Sequence, residues 1–316
     1  MSLLLIGTGP MAVAYTEVLK DVHVHFDVVG RGLSSAKSFK QSTGVSPQTG
    51  GIEKYLKENQ VAPKTKVIIA TGTESLMPTL ELLLNAGIKH VLVEKPAAIS
   101  MNELLDKEEE ISGYYAEIYV GYNRRFYASV LEAEKLIEQD GGLETLQFEF
   151  TEWAHRIEPL VKAEGVKENW FFANSTHVVD LAFSLAGKPT TWQAFSKEGN
   201  ISWHHRSNFA GAGVTEKGVL FSYLANWESA GRWAIELLTR KRRIYLKPLE
   251  SLSIQEKGSV KVEEHSFDDE IDKKYKPGLY KQVLAFLENE RSRLVSFKEH
   301  VENTKKIYST MLNKAY

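Results

Sequence analysis

Short apolar runs alternate with amphipathic stretches through the first 121 residues. The runs at 3–6, 25–29, 66–70, 90–94 and 117–121 have the length and texture of strands covered by helices on both faces. Between them, apolar residues recur at helical spacing over 11–19, 34–42, 74–85 and 101–111. Asn85-Ala86-Gly87 closes the third of these, glycine being the residue that enters the left-handed conformation most readily. The alternation predicts an α/β domain built on a doubly wound parallel sheet over residues 1–121.

The texture changes near Tyr122. One helix is predicted over 127–139, closed by Asp140-Gly141-Gly142, and two-residue alternation follows. Within 218–229, Val219, Phe221, Tyr223, Ala225 and Trp227 share one side, while Ser222, Asn226 and Glu228 share the other. That is the pattern of a half-buried antiparallel strand. Similar strands are predicted at 143–153, 191–197, 233–246, 252–255 and 260–267, and two helices, 279–289 and 298–312, end the chain. A second α/β domain is therefore expected over 122–316, and a chain of 316 residues has room for two cores.

Composition narrows the chemistry. The apolar share of 43% and charged share of 25% are those of an ordinary globular protein. A formal charge of −2 lacks the cationic surplus that broad nucleic-acid binding needs, so no nucleic-acid partner is expected. The basic run Arg240-Lys241-Arg242-Arg243 reads as a solvated strand end. The absence of cysteine excludes disulfides, thiolate zinc sites and a cysteine nucleophile. No apolar stretch approaches membrane-spanning length, and Leu3-Leu4-Leu5-Ile6 is too short and lacks the basic flank of a signal peptide. The expectation is a cytoplasmic protein with no membrane partner. His23 and His25 share a strand face without a third ligand, so no metal is expected.

Gly7-Thr8-Gly9-Pro10-Met11-Ala12 follows the first strand and opens the first helix. Gly7 permits the tight turn, Gly9 lets backbone approach a pyrophosphate, and Ala12 allows close packing of helix on strand. Free amides at the helix start, reinforced by the helix dipole, hold the phosphates. This predicts a Rossmann domain binding NADP or NAD. The acidic residue that would bind the ribose hydroxyls of NAD is missing at the end of the second strand, where Gly30-Arg31-Gly32 stands, followed by Ser34 and Ser35. Arg31 can pair with a 2′-phosphate and Ser34 can add a hydrogen bond, which tilts the expectation toward NADP.

Glu94-Lys95-Pro96 lies where the fourth predicted strand ends, the side on which such sheets bind ligands. A lysine there can hold the cofactor ribose, lower the energy of a developing alkoxide and help move a proton. With the Gly7 loop, Gly121-Tyr122-Asn123-Arg124-Arg125-Phe126 and Thr176-His177-Val178-Val179-Asp180-Leu181, it resembles the Gfo/Idh/MocA family of oxidoreductases over nearly the whole chain. The resemblance implies a Rossmann domain and a C-terminal α/β domain on a large open, mostly antiparallel sheet, with the helix near 298–312 returning to the first domain. It implies hydride transfer between nicotinamide and a carbinol or carbonyl carbon of a sugar, cyclitol or nucleotide sugar, bound in a cleft between the domains. It makes Lys95 the catalytic lysine, His177 the general acid/base and Asp180 a residue that orients His177 or touches substrate. Cofactor contacts are expected from Gly7, Thr8, Gly9, Pro10, Met11, Ala12, Arg31, Ser34, Thr71, Gly72, Glu94 and Lys95. Substrate contacts are expected from Arg124, Trp170, Asn174 and His177. Arg124 and Arg125 suit a substrate phosphate or, equally, ion pairing between the domains. The open sheet implies a homodimer or homotetramer.

Two departures stand out. The aspartate that the family often carries four residues before the histidine is Ala173 here, and the Pro/His loop after the third strand is Thr71-Gly72-Thr73-Glu74-Ser75-Leu76. The first keeps open a different class of function, a dinucleotide-binding regulator without turnover.

Overall fold

The apolar runs of the N-terminal stretch pair into one sheet, and the alternating strands that follow pair into another. The computed structural model describes residues 3–313. These residues divide into two units, 3–122 together with Leu279–Val301, and Asn123–Gly278 together with 302–313.

In the first unit, β1 (Leu3–Ile6), β2 (Phe26–Gly30), β3 (Gln48–Thr49), β4 (Lys66–Ile69), β5 (His90–Val93) and β6 (Glu117–Val120) are parallel and ordered β3-β2-β1-β4-β5-β6. Every residue of β1 and β4 is buried, as the apolar runs Leu3–Ile6 and Val67–Ile69 require, and Lys66 at the start of β4 is the one charged exception. Strand order reverses between β1 and β4, which is where sheets of this kind open a crevice at their carboxyl ends. Helices Pro10–Asp21, Leu33–Thr43 and Leu76–Asn85 match the predicted periodic stretches. Strand β3 and the helix Gly51–Glu58 were not foreseen, the first being only two residues long and the second carrying few apolar residues.

The helix Leu279–Glu288 packs against Pro10–Asp21, and Lys66 at the start of β4 explains how its end is held. The buried ammonium donates to the carbonyls of Phe286 (2.6 Å) and Leu287 (3.0 Å) and to Asn289 Oδ1 (2.6 Å). A cation at a helix C-terminus meets both the orphan carbonyls and the negative end of the dipole. Val295–Ser296 then adds an antiparallel edge to β6. The stretch that returns to the first unit thus runs from Leu279 to Val301, while residues 302–313 join the second unit, where Tyr308 packs edge-on to Phe171 at 6.4 Å. The sequence had placed this return at 298–312.

The second unit holds β7 (Thr145–Glu149), β8 (Pro189–Lys197), β9 (Asn208–Thr215), β10 (Leu220–Asn226), β11 (Ala234–Leu238), β12 (Arg242–Leu246), β13 (Ser253–Glu256) and β14 (Glu263–Glu264). Their order is β14-β13-β12-β11-β7-β10-β9-β8, antiparallel except where β7 meets β10. Strand β9 escaped the sequence reading because its core, Ala210-Gly211-Ala212-Gly213, carries almost no apolar signal. The small residues are required, since a side chain at Gly213 would overlap the backbone and Cβ of Trp192 on β8. The long strand expected at 233–246 is a hairpin, β11 and β12. Thr239 and Arg242 hold its turn on buried Asp140, with Thr239 Oγ1 donating at 2.7 Å and Arg242 Nε lying 2.9 Å away. Arg242 is therefore a half-buried partner of buried Asp140, and the basic run is not wholly solvated. The run at 260–267 pairs only at Glu263–Glu264, and Val260 is exposed.

One face of this sheet is covered by the helix Thr176–Ala186. Phe183 on that helix meets Phe148 at 5.6 Å and Phe221 at 5.1 Å, both edge-on, and Tyr223 stacks on Phe148 at 5.2 Å. Each such ring contributes roughly 1.5–3 kcal/mol by leaving water. The other face exposes Phe195, Leu220 and Leu224. Among the described residues, no helix is long and apolar enough to cross a membrane, and no group of three or more His, Asp or Glu side chains is placed to hold a metal ion.

Candidate active site

A cleft of about 880 Å³ opens in the first unit at the carboxyl ends of β1, β2 and β4. Gly7, Thr8, Gly9, Pro10 and Met11 line it, as do Arg31, Thr71 and Gly72. Gly7 has φ +127°, and a side chain there would overlap the carbonyl of Ala70 on the neighbouring strand. Only glycine meets both demands. Gly9, by contrast, has nothing within 4 Å of where a Cβ would stand, so its backbone borders open space. Pro10 occupies the first turn of the helix, where a missing N–H costs nothing. The cradle fits a pyrophosphate held by first-turn amides.

Four of the expected cofactor residues, Ala12, Ser34, Glu94 and Lys95, are not among those that line the cleft. Ala12 is fully buried on the inner face of the helix Pro10–Asp21 and acts by packing. Ser34 does not line the cleft, whereas Ser35 does, because one step around the helix brings its hydroxyl to Thr8 Oγ1 (3.1 Å) and the Gly32 carbonyl (3.1 Å). Glu94 is buried and accepts a hydrogen bond from Tyr15 Oη at 2.7 Å, and burial followed by that carboxylate raises the Tyr15 pKa. Glu94 thus locks the first helix to the end of β5, immediately before Lys95. The Lys95–Pro96 peptide is cis.

His300 holds the turn after Lys95. Its Nε2 lies 2.9 Å from the Pro96 carbonyl and so carries the proton, leaving Nδ1 to accept from Tyr122 Oη at 3.4 Å. Burial pulls its pKa down to about 4 from 6.5. The folded value lies below the unfolded one, so between them the unfolded chain binds the extra proton. The stability tied to this group is complete above about pH 6.5 and is lost as pH falls toward 4, a change of roughly 3 kcal/mol. Urea midpoints measured across that window should fall steeply for the natural protein and less steeply for His300→Gln. Equal slopes would remove His300 as the cause.

The second unit brings His177, Asp180, Arg124, Arg125, Trp170 and Asn174 into one region around the helix Thr176–Ala186. A single π-helical turn, Phe171–Ser175, precedes it, and such turns re-aim side chains. His177 is 4% exposed, with its ring 6.2 Å from that of Trp233. Asp180 is held by Arg125 on both oxygens, Nε to Oδ2 at 2.8 Å and Nη2 to Oδ1 at 2.7 Å. Arg125, offered by the sequence as a phosphate ligand or an interdomain pair, is therefore an ion-pair partner inside this unit. Arg124 lies over Trp233, 4.6 Å from the ring centre, and Arg232 lies over the same ring at 4.7 Å. Trp170 meets Trp203 edge-on at 6.2 Å. Asn174 Nδ2 and Ser175 Oγ both donate to Glu152 Oε1 at 2.9 Å.

No protein-family model matches the sequence, and no curated protein matches it. Solved structures do match its fold. An oxidoreductase from Agrobacterium radiobacter, solved with NAD+, L-tartaric acid and magnesium, has a TM-score of 0.76 at 14% identity over 99% of this chain and 96% of that one. The WlbA dehydrogenase from Chromobacterium violaceum, solved with NADH and UDP-GlcNAcA, has a TM-score of 0.70 at 15% identity, covering 100% and 93%. The UDP-N-acetylglucosamine 3-dehydrogenase GnnA from Acidithiobacillus ferrooxidans has a TM-score of 0.71 at 13% identity, covering 99% and 97%. These likenesses show the fold, a unit with a parallel sheet and a second unit with its own sheet, shared with solved oxidoreductases.

Within this fold, two residues that carry no sequence motif stand out, Glu152 and His300. Glu152 is 1% exposed, and its Oε2 lies 3.4 Å from Arg232 Nη1. Burial raises its pKa, against the hydrogen bonds of Ser175 and Asn174 and the charge of Arg232. It is a buried carboxylate bonded to the residue beside Ala173. Neither residue belongs to a sequence motif that marks a site, and each acquires its setting only through contacts distant in the chain.

Proposed function

We propose that this protein is an NAD(P)-dependent oxidoreductase that moves a hydride between nicotinamide and a carbinol or carbonyl carbon of a sugar, cyclitol or nucleotide sugar. The observation that carries the reading is the glycine cradle at the β1/β4 crevice, in a fold whose solved neighbours include dehydrogenases crystallised with NAD(H). Gly7, Gly9 and the first turn of the helix Pro10–Asp21 hold the pyrophosphate. When bound, the dinucleotide supplies the hydride acceptor or donor.

The chain's own residues do the rest. Lys95 holds its ammonium against the reacting oxygen, lowering the energy of the alkoxide as it forms. His177 takes or returns the hydroxyl proton. Asp180, held by Arg125, fixes the helix that carries His177. Arg124 over Trp233 offers positive charge beside an aromatic platform, which suits a phosphate or carboxylate on the substrate. The exposed Phe195, Leu220 and Leu224 on the open sheet favour a homodimer or homotetramer through that face.

The test is a thermal-shift screen of NADH and NADPH, alone and with UDP-sugars, UDP-sugar acids and cyclitols, followed by turnover of each hit read from nicotinamide absorbance. Ligands that bind the native state raise its melting point by mass action. Dinucleotide binding with a turned-over sugar is the expected result. Binding without turnover of any member would favour the regulator, to which Ala173 points.

A further inference from the structure

We infer that this chain selects NAD over NADP, and that Glu74, on the loop after β4, supplies the carboxylate missing from the end of β2. The inference rests on the dinucleotide reading above and specifies the adenosine end of that site.

Arg31, taken alone, favours a 2′-phosphate. The structure gives it company. Among the residues lining the cleft, Arg31 carries the positive charge, while Glu74 and Glu53 carry the negative. Arg31 Nη2 lies 3.7 Å from Glu74 Oε1. The Arg31 carbonyl accepts from the Gly50 amide at 3.2 Å, which ties the end of β2 to the turn before the helix Gly51–Glu58. Glu74 is folded back over its own loop, so that a side chain at Gly72 would stand only 2.5 Å from both of its carboxylate oxygens. The cleft therefore offers two carboxylates and one guanidinium around the end of β2.

A 2′-phosphomonoester brings close to two negative charges at neutral pH. In this cleft it meets a guanidinium already paired with Glu74, and a second carboxylate, Glu53, in the lining. A ribose hydroxyl instead donates to a carboxylate, the contact an acidic residue at the end of β2 makes in NAD-binding sheets. Like charges repel, the more so in a partly enclosed cleft. An affinity ratio on the order of tenfold in favour of the unphosphorylated cofactor is the expected consequence.

The experiment is direct titration of the protein with NADH and with NADPH, followed by nicotinamide fluorescence, and with the oxidised forms by calorimetry. NADH should bind about tenfold more tightly than NADPH. In Glu74→Gln the ratio should shrink about tenfold, mainly through tighter NADPH binding, because Arg31 is released toward the phosphate. Glu74→Ala should shift the ratio in the same direction. NADPH binding as tightly as NADH in the natural protein would overturn the inference while leaving the dinucleotide reading intact. A ratio unchanged in both Glu74 variants would also overturn it. Failure of both cofactors to bind would overturn the dinucleotide reading and this inference together.

Discussion

Replacing His177 with asparagine should lower turnover by about two to four orders of magnitude, the usual worth of a positioned acid/base, while leaving dinucleotide affinity unchanged. Asparagine keeps a hydrogen-bonding side chain of similar reach in a place only 4% exposed, so that loss of fold does not stand in for loss of chemistry. Lys95→Ala should cut turnover comparably, and Lys95→Arg should restore part of it, since charge is kept but the proton is not readily given up. The measurements are kcat and KM on a substrate recovered from the screen, with thermal midpoints as the control. Full turnover by either His177→Asn or Lys95→Ala would end the roles assigned to these side chains.

The second large effect is on stability. Asp180→Ala should destabilise the second unit by about 3–5 kcal/mol, because it leaves the Arg125 guanidinium charged, buried and without its carboxylate. The side chains are 11% and 1% exposed, so solvent offers Arg125 little replacement. For a unit of this size the loss lowers the melting point on the order of 10 °C. The double replacement Arg125→Met with Asp180→Leu should recover most of it, since removing both charges also removes the cost of desolvating them. Calorimetric scans of the three proteins give the answer. A single variant that melts with the natural protein would show the pair to contribute nothing, contrary to its two short, parallel hydrogen bonds.

Much of the first unit was legible because its signals are local. A buried parallel strand writes an uninterrupted apolar run, and a phosphate loop writes glycines at fixed spacing, since each constraint acts within a few residues. The second unit was legible where alternation was strong, as in β10, and illegible where packing demanded the opposite of a hydrophobic signal. Strand β9 is the clear case, as Gly213 leaves room for Trp192 and Gly211 for Tyr223. The hairpin of β11 and β12 reads as one strand because its turn, Thr239-Arg240-Lys241-Arg242, contains no glycine, proline or asparagine, and part of its support comes from Asp140, about a hundred residues away in sequence.

The candidate site divides in the same way. Lys95, His177, Asp180 and the Gly7 loop stand in motifs and were named from them. His300, which fixes the turn after Lys95, Glu152, which gathers Asn174 and Ser175, and Glu74, which faces Arg31, were not. Arg125 and Glu94 were found but given other roles.

The order of residues along the chain determined which segments become strands and helices, where the phosphate loop falls, and which side chains carry proton chemistry. Tertiary structure alone decided which charges neutralise one another, which carboxylates lie out of water, and which terminal segment returns to the first unit. The reason is range. Periodicity and turn geometry arise between neighbours in sequence, whereas burial and ion pairing depend on residues that only folding brings within a few ångströms.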